Sequence, residues 1–411
     1  MPLRPDHPDW YASIGAEVRL SDESIGNDNW GEFPYENSYF LQRYMLITDF
    51  HFGSRLRAFV ELESDTENGR IGGPRPIDDA WLDYLGLYVE GRFGPFADSP
   101  SLLVGREELN LGSGRLVAPR EGPNVRQSFT GLRARGDLGA FHFDAIGVHP
   151  NLDAPQPFAA VATQATSLWG LYASTTPTLT RPELDAYYLG IQRSEYTIAR
   201  GTGPEDRHTF GVRLTRPFAL DRSGLDYDDE IMYQIGTFAA HPILAWAAST
   251  ATGWHSGPAP ASPRLLLKAD VVSGDDPKRN VVGTFDPYFP SGNYFGIFAT
   301  TGPGFVNCVD LHPSVTSVLG RVTITGDWLW YWRQNVNDGV YAIPGTLLLR
   351  EPSGSSARFV GERPGIEAKW QIDEHLYLQG DYGIFTAGPF IHESGPALPI
   401  LYRLLWLGYK F

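Results

Sequence analysis

Arg106, Arg115, Arg120, Arg126, Arg133 and Arg135 fall within thirty residues, interleaved with Glu107, Glu108, Glu121 and Asp137. A guanidinium is planar, permanently charged and weakly hydrated, and its fork of donors fits a carboxylate. Two kinds of chemistry suit such a cluster. Arginines along a confined, low-dielectric wall add their fields and concentrate anions. Arginines set against neighbouring acids instead form ion pairs that hold wall and loops together. Arg133 and Arg135 share one face of a period-2 pattern and are the foremost candidates for the first role. The choice of base is uneven along the whole chain: the lysines are Lys268, Lys278, Lys369 and Lys410, so nearly all of the 33 basic residues are arginine. A GC-rich genome or a thermostable protein would produce the same bias.

Bond-making chemistry finds less support. The ten histidines are scattered without ligand spacing, and neither G-x-S-x-G nor H-E-x-x-H occurs. Asp275 and Asp276 in "GDDPKRN" are acidic enough for calcium, but no twelve-residue ligand loop surrounds them, and an ordinary acidic turn is the better reading. The paired acids of a glycosidase or lyase need only meet in space, so the sequence leaves that reading open without pointing to it. No metal, cofactor or enzyme activity is expected. The net charge of −15, with no basic stripe to offset it, argues against nucleic acid as a partner. Cys308 is the only cysteine, so no intrachain disulfide forms.

The elements that must position these charges alternate with period 2. Trp10 to Leu20 places Trp10, Ala12, Ile14, Ala16, Val18 and Leu20 opposite Tyr11, Ser13, Gly15, Glu17 and Arg19. Residues 54–63, 207–216 and 264–272 repeat the pattern, with densely charged polar faces of both signs. Further alternation covers 38–52, 79–93, 127–137, 140–149, 184–193, 231–238, 318–333, 366–371, 376–385 and 400–411, separated by turn-rich segments such as "SDTENGRIGGPRP". The Asp338-Gly339 step of "NDGVY" reads as a turn whose glycine takes a positive φ. Forty-five glycines and 32 prolines suit strands and turns and oppose a helical protein. No apolar run approaches the roughly 20 residues of a membrane-spanning helix, and mean hydropathy is −0.23.

Strand length separates the two all-β architectures. Soluble strands run about 5 to 6 residues, whereas a tilted membrane strand needs roughly 9 to 11, and these stretches are of the longer kind. The alternation therefore predicts a barrel with its apolar face toward lipid. An arginine on that face would cost roughly 2 to 4 kcal/mol near the bilayer midplane. Arg55, Arg57, Arg207, Arg213, Arg321 and Arg333 are accordingly expected inside, with Glu61 and Glu63. Trp10, Tyr39, Phe93, Trp254, Trp332 and Phe411, near stretch ends, are candidates for interfacial girdles. Strands continue to the last residue, and 1–411 reads as a single domain.

The chain closes on "LLWLGYKF", with Leu405, Leu407, Tyr409 and Phe411 on one face. This resembles the terminal pattern of outer-membrane barrels, whose assembly machinery reads an aromatic last residue on the closing strand. The N-terminus "MPLRPDHPDW" has no apolar leader, and a removed signal peptide is the expected reason.

Three stretches carry a more specific likeness: "GREELNLGSGRLVAPREGPNVRQSFTGLRAR" (105–135), "FDPYFPSGNYFG" (285–296), and "LHPSVTSV" with "WRQNVNDGVY" (311–341). Together they resemble the alginate export family of outer-membrane β-barrels, in order along most of the chain. The resemblance implies a monomeric antiparallel barrel of about 18 strands, 16 being possible, with short periplasmic turns and long extracellular loops that partly close an arginine- and acid-lined lumen. It also implies a Gram-negative outer membrane and an anionic cargo, alginate-like poly- or oligouronates, passing without chemistry. Arg106, Arg115 and Arg126, flanking the turn, join Arg133 and Arg135 as pore-lining candidates. Two alternatives stand beside this reading: uptake of another small carboxylate or aromatic acid, and a soluble β-rich carbohydrate-binding protein or polysaccharide lyase.

Overall fold

The computed structural model describes the chain except residues 1, 5, 95–98, 179–180, 218–222, 256, 258–262, 293–301, 344 and 346. Its strands are, in chain order, β1 Pro2–Arg4, β2 His7–Asn27, β3 Phe33–Phe52, β4 Leu56–Asn68, β5 Ala80–Arg92, β6 Ser101–Glu107, β7 Phe129–Leu138, β8 Phe141–Leu152, β9 Val161–Ala162, β10 Thr166–Thr175, β11 Glu183–Ile198, β12 Gly201–Arg216, β13 Gly224–Phe238, β14 His241–His255, β15 Arg264–Val272, β16 Cys308–Leu319, β17 Val322–Arg333, β18 Val340–Tyr341, β19 Leu348–Arg350, β20 Phe359–Gln371, β21 Leu376–Ala387 and β22 Ile400–Lys410. Two short helices, α1 Asp28–Gly31 and α2 Pro389–Ser394, cap connections.

Eighteen of the strands are staves of one closed antiparallel barrel. Each pairs with the next stave, β8 passing directly to β10 and β17 to β20, and β22 returns to β2. That last pairing runs from Glu17↔Lys410 to Gly26↔Leu401. The Phe411 N–H donates to the Ala16 carbonyl at 2.9 Å and the Ala16 N–H to that of Phe411 at 3.2 Å. Short turns such as 53–55, 139–140 and 320–321 gather at the end where β2 begins, while the longest connections, 108–128, 273–307 and 334–358, share the other end.

Period 2 then does the sorting that the sequence announced. In β12 and β13 the side chains of Phe210, Val212, Ile231 and Tyr233 stand exposed on the outer surface, while those of Arg207, Thr209 and Gln234 are buried inside. An apolar outer belt is stable because hydrocarbon replaces water there. Because a one-residue slip would turn every arginine outward, the lipid boundary itself fixes the register. Leu405, Leu407 and Tyr409 also face out. On the inner wall large rings lie over glycines of the next stave. A Cβ at Gly211 would sit 2.1 Å from the Tyr187 ring, and one at Gly408 2.2 Å from that of Tyr377.

Of the girdle candidates, Phe93, Trp254 and Phe411 are exposed near the short-turn end. Tyr39 differs. It shares the inner face of β3 with Arg43, is 2% exposed, and donates its hydroxyl to Glu23 at 3.0 Å. The turn reading of 338–339 also changes. Gly339 does not adopt a positive φ; Asp338 closes the turn through its carboxylate, which accepts the Gly339 N–H at 2.8 Å. The glycine is required instead by close approach, since a Cβ there would meet the Arg350 carbonyl at 2.3 Å.

The Leu405→Arg variant puts a cation in mid-strand on the outer face, and is expected to lower stability in lipid vesicles by roughly 2 to 4 kcal/mol in denaturant titrations. Gln379→Arg, at a lumen-lining position, is expected to cost much less. Equal losses would contradict the assignment of faces.

Candidate functional site

A barrel this wide is an open pore unless something fills it, and the long connections do so. After β6 the chain turns into the lumen. Arg115 reaches β13 on one wall, pairing with Glu230 at 2.6 Å and Asp228 at 3.0 Å, and Ser113 donates to the same Glu230 at 2.7 Å. Residues 116–118 then meet the connection 273–307 in a parallel bridge, Val117↔Phe289, closed by Ala118 N–H to Phe289 carbonyl at 2.9 Å and Phe289 N–H to Leu116 carbonyl at 2.8 Å.

The tip of 108–128 ends against the opposite wall, β2 and β3. Arg43, fully buried, donates to the carbonyls of Asn124 at 2.7 Å and Pro123 at 2.8 Å and to the Glu121 carboxylate at 2.8 Å. Arg19 reaches Glu121 at 3.1 Å and the Asn124 side chain at 3.3 Å, and Arg126 approaches Glu121 at 3.2 Å and Glu108 at 2.8 Å. Three guanidiniums thus share one carboxylate. Burial alone would raise the Glu121 pKa, but Arg43, Arg126 and Arg19 outweigh it and hold it down at about 2. Glu108 goes the other way: burial, with Glu61 and Glu121 nearby, outweighs Arg126 and pushes it up to about 7.

The connections 273–307 and 334–358 are held by the same device. Arg207, fully buried, donates to the Thr284 carbonyl at 3.0 Å, to Gln234 at 2.7 Å and to Glu205 at 2.8 Å. Gln234 in turn bonds the backbone of Asp286 in both directions, at 2.8 and 3.0 Å. Arg333 donates to the carbonyls of Val336 at 2.9 Å, Asp338 at 3.2 Å and Ser355 at 2.9 Å, with its guanidinium 3.7 Å from the Phe390 ring centre. Asp275 is taken up by Arg200 at 2.8 and 2.9 Å, and among the described residues no cluster fit to hold a metal occurs. Phe285 and Tyr288 of "FDPYFPSGNYFG" are buried, and Phe289 packs edge-on against Phe129; 293–296 of that stretch are outside the described residues.

The other arginines singled out in the sequence stand beside acids, Arg120 within the connection 108–128 and the rest along the inner wall. Arg57 pairs with Asp49 at 2.8 Å, Arg106 with Asp83 at 2.9 Å, and Arg120 with Asp153 at 2.7 Å. Arg133 bridges Glu107 at 3.0 Å and Asp144, Arg135 meets Glu90 at 2.8 Å, and Arg213 joins Asp185 at 2.9 Å to Asp228 at 2.8 Å. Arg55 and Arg321 stand elsewhere. Both occupy short turns and are exposed, because the strands begin one residue later, at Leu56 and Val322.

Between Gly122, at the tip of 108–128, and the staves β15 to β22 remains a cavity of about 260 Å³. Period 2 points its polar lining inward. Lys268 of β15 is the register partner of His312 of β16, and Glu367 of β20 that of Asp381 of β21. Between the two pairs, Asp327 of β17 bonds both His312 and Arg363. Leu266, Leu404 and Trp406 add apolar surface, and the Arg19 guanidinium stands 4.7 Å from the Trp406 ring centre. Arg19, Arg43, Lys268 and Arg363 carry no mark in the sequence that singles them out as site residues. The alternation had placed Arg19 and Lys268 on polar faces, but not beside a loop tip or a cavity.

The charge of the tip depends on pH. Raising the pH through about 7 ionises Glu108 in the folded chain and adds negative charge beside Glu61 and Glu121. Anion preference, read from reversal potentials across a KCl gradient, is expected to fall over that window, and the Glu108→Gln variant is expected to give a flat profile. A step retained in the variant would place the titrating group elsewhere. Because the folded value is raised, the Glu108 contribution to stability is greatest below the ordinary carboxylate range and declines as pH rises to about 7.

Solved structures with the same architecture are outer-membrane channels. OccAB1 of Acinetobacter baumannii superposes with a TM-score of 0.66 at 14% identity, over 100% of this chain and 97% of that one. OccK2 (OpdF) of Pseudomonas aeruginosa, solved in complex with glucuronate, gives 0.63 at 12% identity over 98% of each chain. A BenF-like porin from Pseudomonas fluorescens Pf-5 gives 0.66 at 9% identity over 97% and 98%. No curated protein sequence matches the chain. At these identities the likeness is one of fold, an outer-membrane channel barrel, and the sequence itself gives the family: the alginate export model matches residues 10–398, so this barrel with its arginine-tethered loops belongs to the alginate export family.

Proposed function

We propose that the chain is a Gram-negative outer-membrane channel through which small carboxylates, uronates foremost, diffuse passively, with the long connections outside and the short turns in the periplasm. One observation carries the reading. The tethered loops leave a cavity of about 260 Å³ on whose wall Lys268 and His312 face each other, with Asp327, Glu367 and Asp381 also lining it. That volume falls below the range of about 300 to 1,000 Å³ typical of drug-sized ligands, and suits short solutes better than a moving polysaccharide. Cations in a narrow, low-dielectric passage raise the local carboxylate concentration, and the acids around them keep binding weak enough for release. The glucuronate bound to OccK2 is a solute of this class.

A second reading, small aromatic acids, is favoured by a cavity of about 520 Å³ at the long-loop end. Ile77, Tyr288, Phe289 and Leu348 give it an apolar floor, with Arg75 and Arg120 beside them.

Planar-bilayer recording tests both. Glucuronate is expected to interrupt the current of the purified, refolded protein, glucose to leave it unchanged, and oligouronates to act more weakly as they lengthen. Lys268→Ala is expected to weaken the glucuronate effect by about tenfold, the value of one charge-assisted contact. Open channels that respond to benzoate and not to glucuronate would replace the first reading with the second. Arg133→Ala, which leaves Asp144 and Glu107 without their shared cation, is expected to lower anion preference in the same recordings; an unchanged reversal potential would place this pair away from the conducting path.

A further inference from the structure

The inner wall of this cavity carries a basic pair and an acidic pair, each with opposite charge close by, Asp270 two residues from Lys268 and Lys369 two residues from Glu367. Lys268 and His312 face each other across β15 and β16; Glu367 and Asp381 face each other across β20 and β21. Asp327 and Arg363, between the pairs, are engaged with each other and with His312. Unused bonding capacity is present at both ends. Asp381 is 6% exposed; its Oδ2 accepts from the Gln379 amide at 3.0 Å while its Oδ1 has no hydrogen-bond partner. His312 is 5% exposed, with one ring nitrogen on Asp327 and the other, Nδ1, unpartnered. Buried polar atoms are ordinarily satisfied, so two such atoms on the lining of one cavity point to a ligand that completes them.

We propose that this cavity binds a zwitterionic amino-carboxylate, with Glu367 and Asp381 taking the ammonium group and Lys268 and His312 the carboxylate. The inference rests on the carboxylate-channel reading and narrows its substrate class. Spacing sets the kind of zwitterion. Neighbouring strands are about 4.8 Å apart, which sets β16 and β20 roughly 10 Å apart across the wall. Glu367 lies four residues along β20 from Arg363, the position level with His312, which adds roughly 13 Å along the strands, a gap that the side chains narrow toward the cavity both pairs line. That distance exceeds the span of an amino group on the carbon next to its carboxylate. It fits an extended solute whose two charges are several bonds apart, and Leu266, Leu404 and Trp406 offer apolar surface to the methylenes between. A divalent metal fits less well. Calcium takes six to eight oxygens, and among the described residues no group of three or more metal-ligating side chains occurs.

The experiment compares 6-aminohexanoate, hexanoate, hexylammonium and glucuronate as blockers of the full-length channel in planar bilayers. In the wild type 6-aminohexanoate is expected to block at concentrations at least about tenfold lower than hexanoate or hexylammonium, the gain from one added charged contact. In the Glu367→Gln/Asp381→Asn double variant that advantage is expected to fall to parity with hexanoate. Folding of each variant is read from faster migration of the unboiled protein on a denaturing gel. Where the double variant fails this check, Asp381→Asn alone carries the comparison. Wild-type channels blocked by glucuronate but no better by 6-aminohexanoate than by hexanoate would overturn the zwitterion site and keep the carboxylate channel. Channels indifferent to all four would overturn both readings. Block by calcium chloride relieved in the double variant, without any 6-aminohexanoate advantage, would assign the acids to a metal cation and overturn the proposal.

Discussion

Buried arginines bonded to the backbone of inward-folded connections are the contacts on which the rest of this molecule depends. Arg43, Arg207 and Arg333 are fully buried, and each donates to one or more main-chain carbonyls of a long connection. A connection that leaves the rim for the lumen exchanges water for a wall of side chains, and each of its carbonyls needs a donor there. Lysine offers a single strongly hydrated point; a guanidinium offers five donors in a rigid fork, enough for two carbonyls and a carboxylate at once. Arg43 uses its fork in that way on Asn124, Pro123 and Glu121. The scarcity of lysine, which genome composition would also explain, has a structural use here.

The same contacts show which parts of the molecule were legible in the sequence. Faces were legible because a lipid boundary enforces period 2 over long strands. The stretch 207–216 gives Phe210, Val212 and Leu214 outside and Arg207 and Arg213 inside, as its alternation indicates. The pattern failed at strand ends. Arg55 shares the parity of Arg57, yet the strand starts at Leu56, and parity says nothing about a turn. Tyr39 shows a subtler limit, since an aromatic near a strand end suits a girdle equally well as a lumen hydroxyl for Glu23. The tethers were not legible. Arg43 and Asn124 are 81 residues apart, and nothing in either neighbourhood names the other. The cluster at 106–135 was conspicuous, but its partners, such as Asp228 and Glu230 for Arg115, come from strands on another wall.

Partner identity changes what an arginine-rich lumen means. An unpaired guanidinium raises the local concentration of anions, but one 3 Å from a carboxylate presents a dipole whose field falls away quickly. Arg57, Arg106, Arg133, Arg135 and Arg213 are all of the second kind, and the chain as a whole carries 48 acids against 33 bases. Counting arginines therefore overstates how strongly the pore attracts anions. The quantity that matters is the charge left facing a passage after pairing.

The order of charge along the inner wall follows from that pairing. On the tethered walls an acid beside an arginine is stabilised by its neighbour and by the loop backbone, and this favours alternation of sign. The inward faces of β15 and β20 mix the signs as well, with Asp270 two residues from Lys268 and Lys369 two residues from Glu367. What sets this wall apart is a pair of buried polar atoms, Asp381 Oδ1 and His312 Nδ1, that no protein group satisfies. A solute that bonds both satisfies them on entering and leaves them unsatisfied on leaving. A wall of this kind reads the separation of charge in a solute, and not merely its sign.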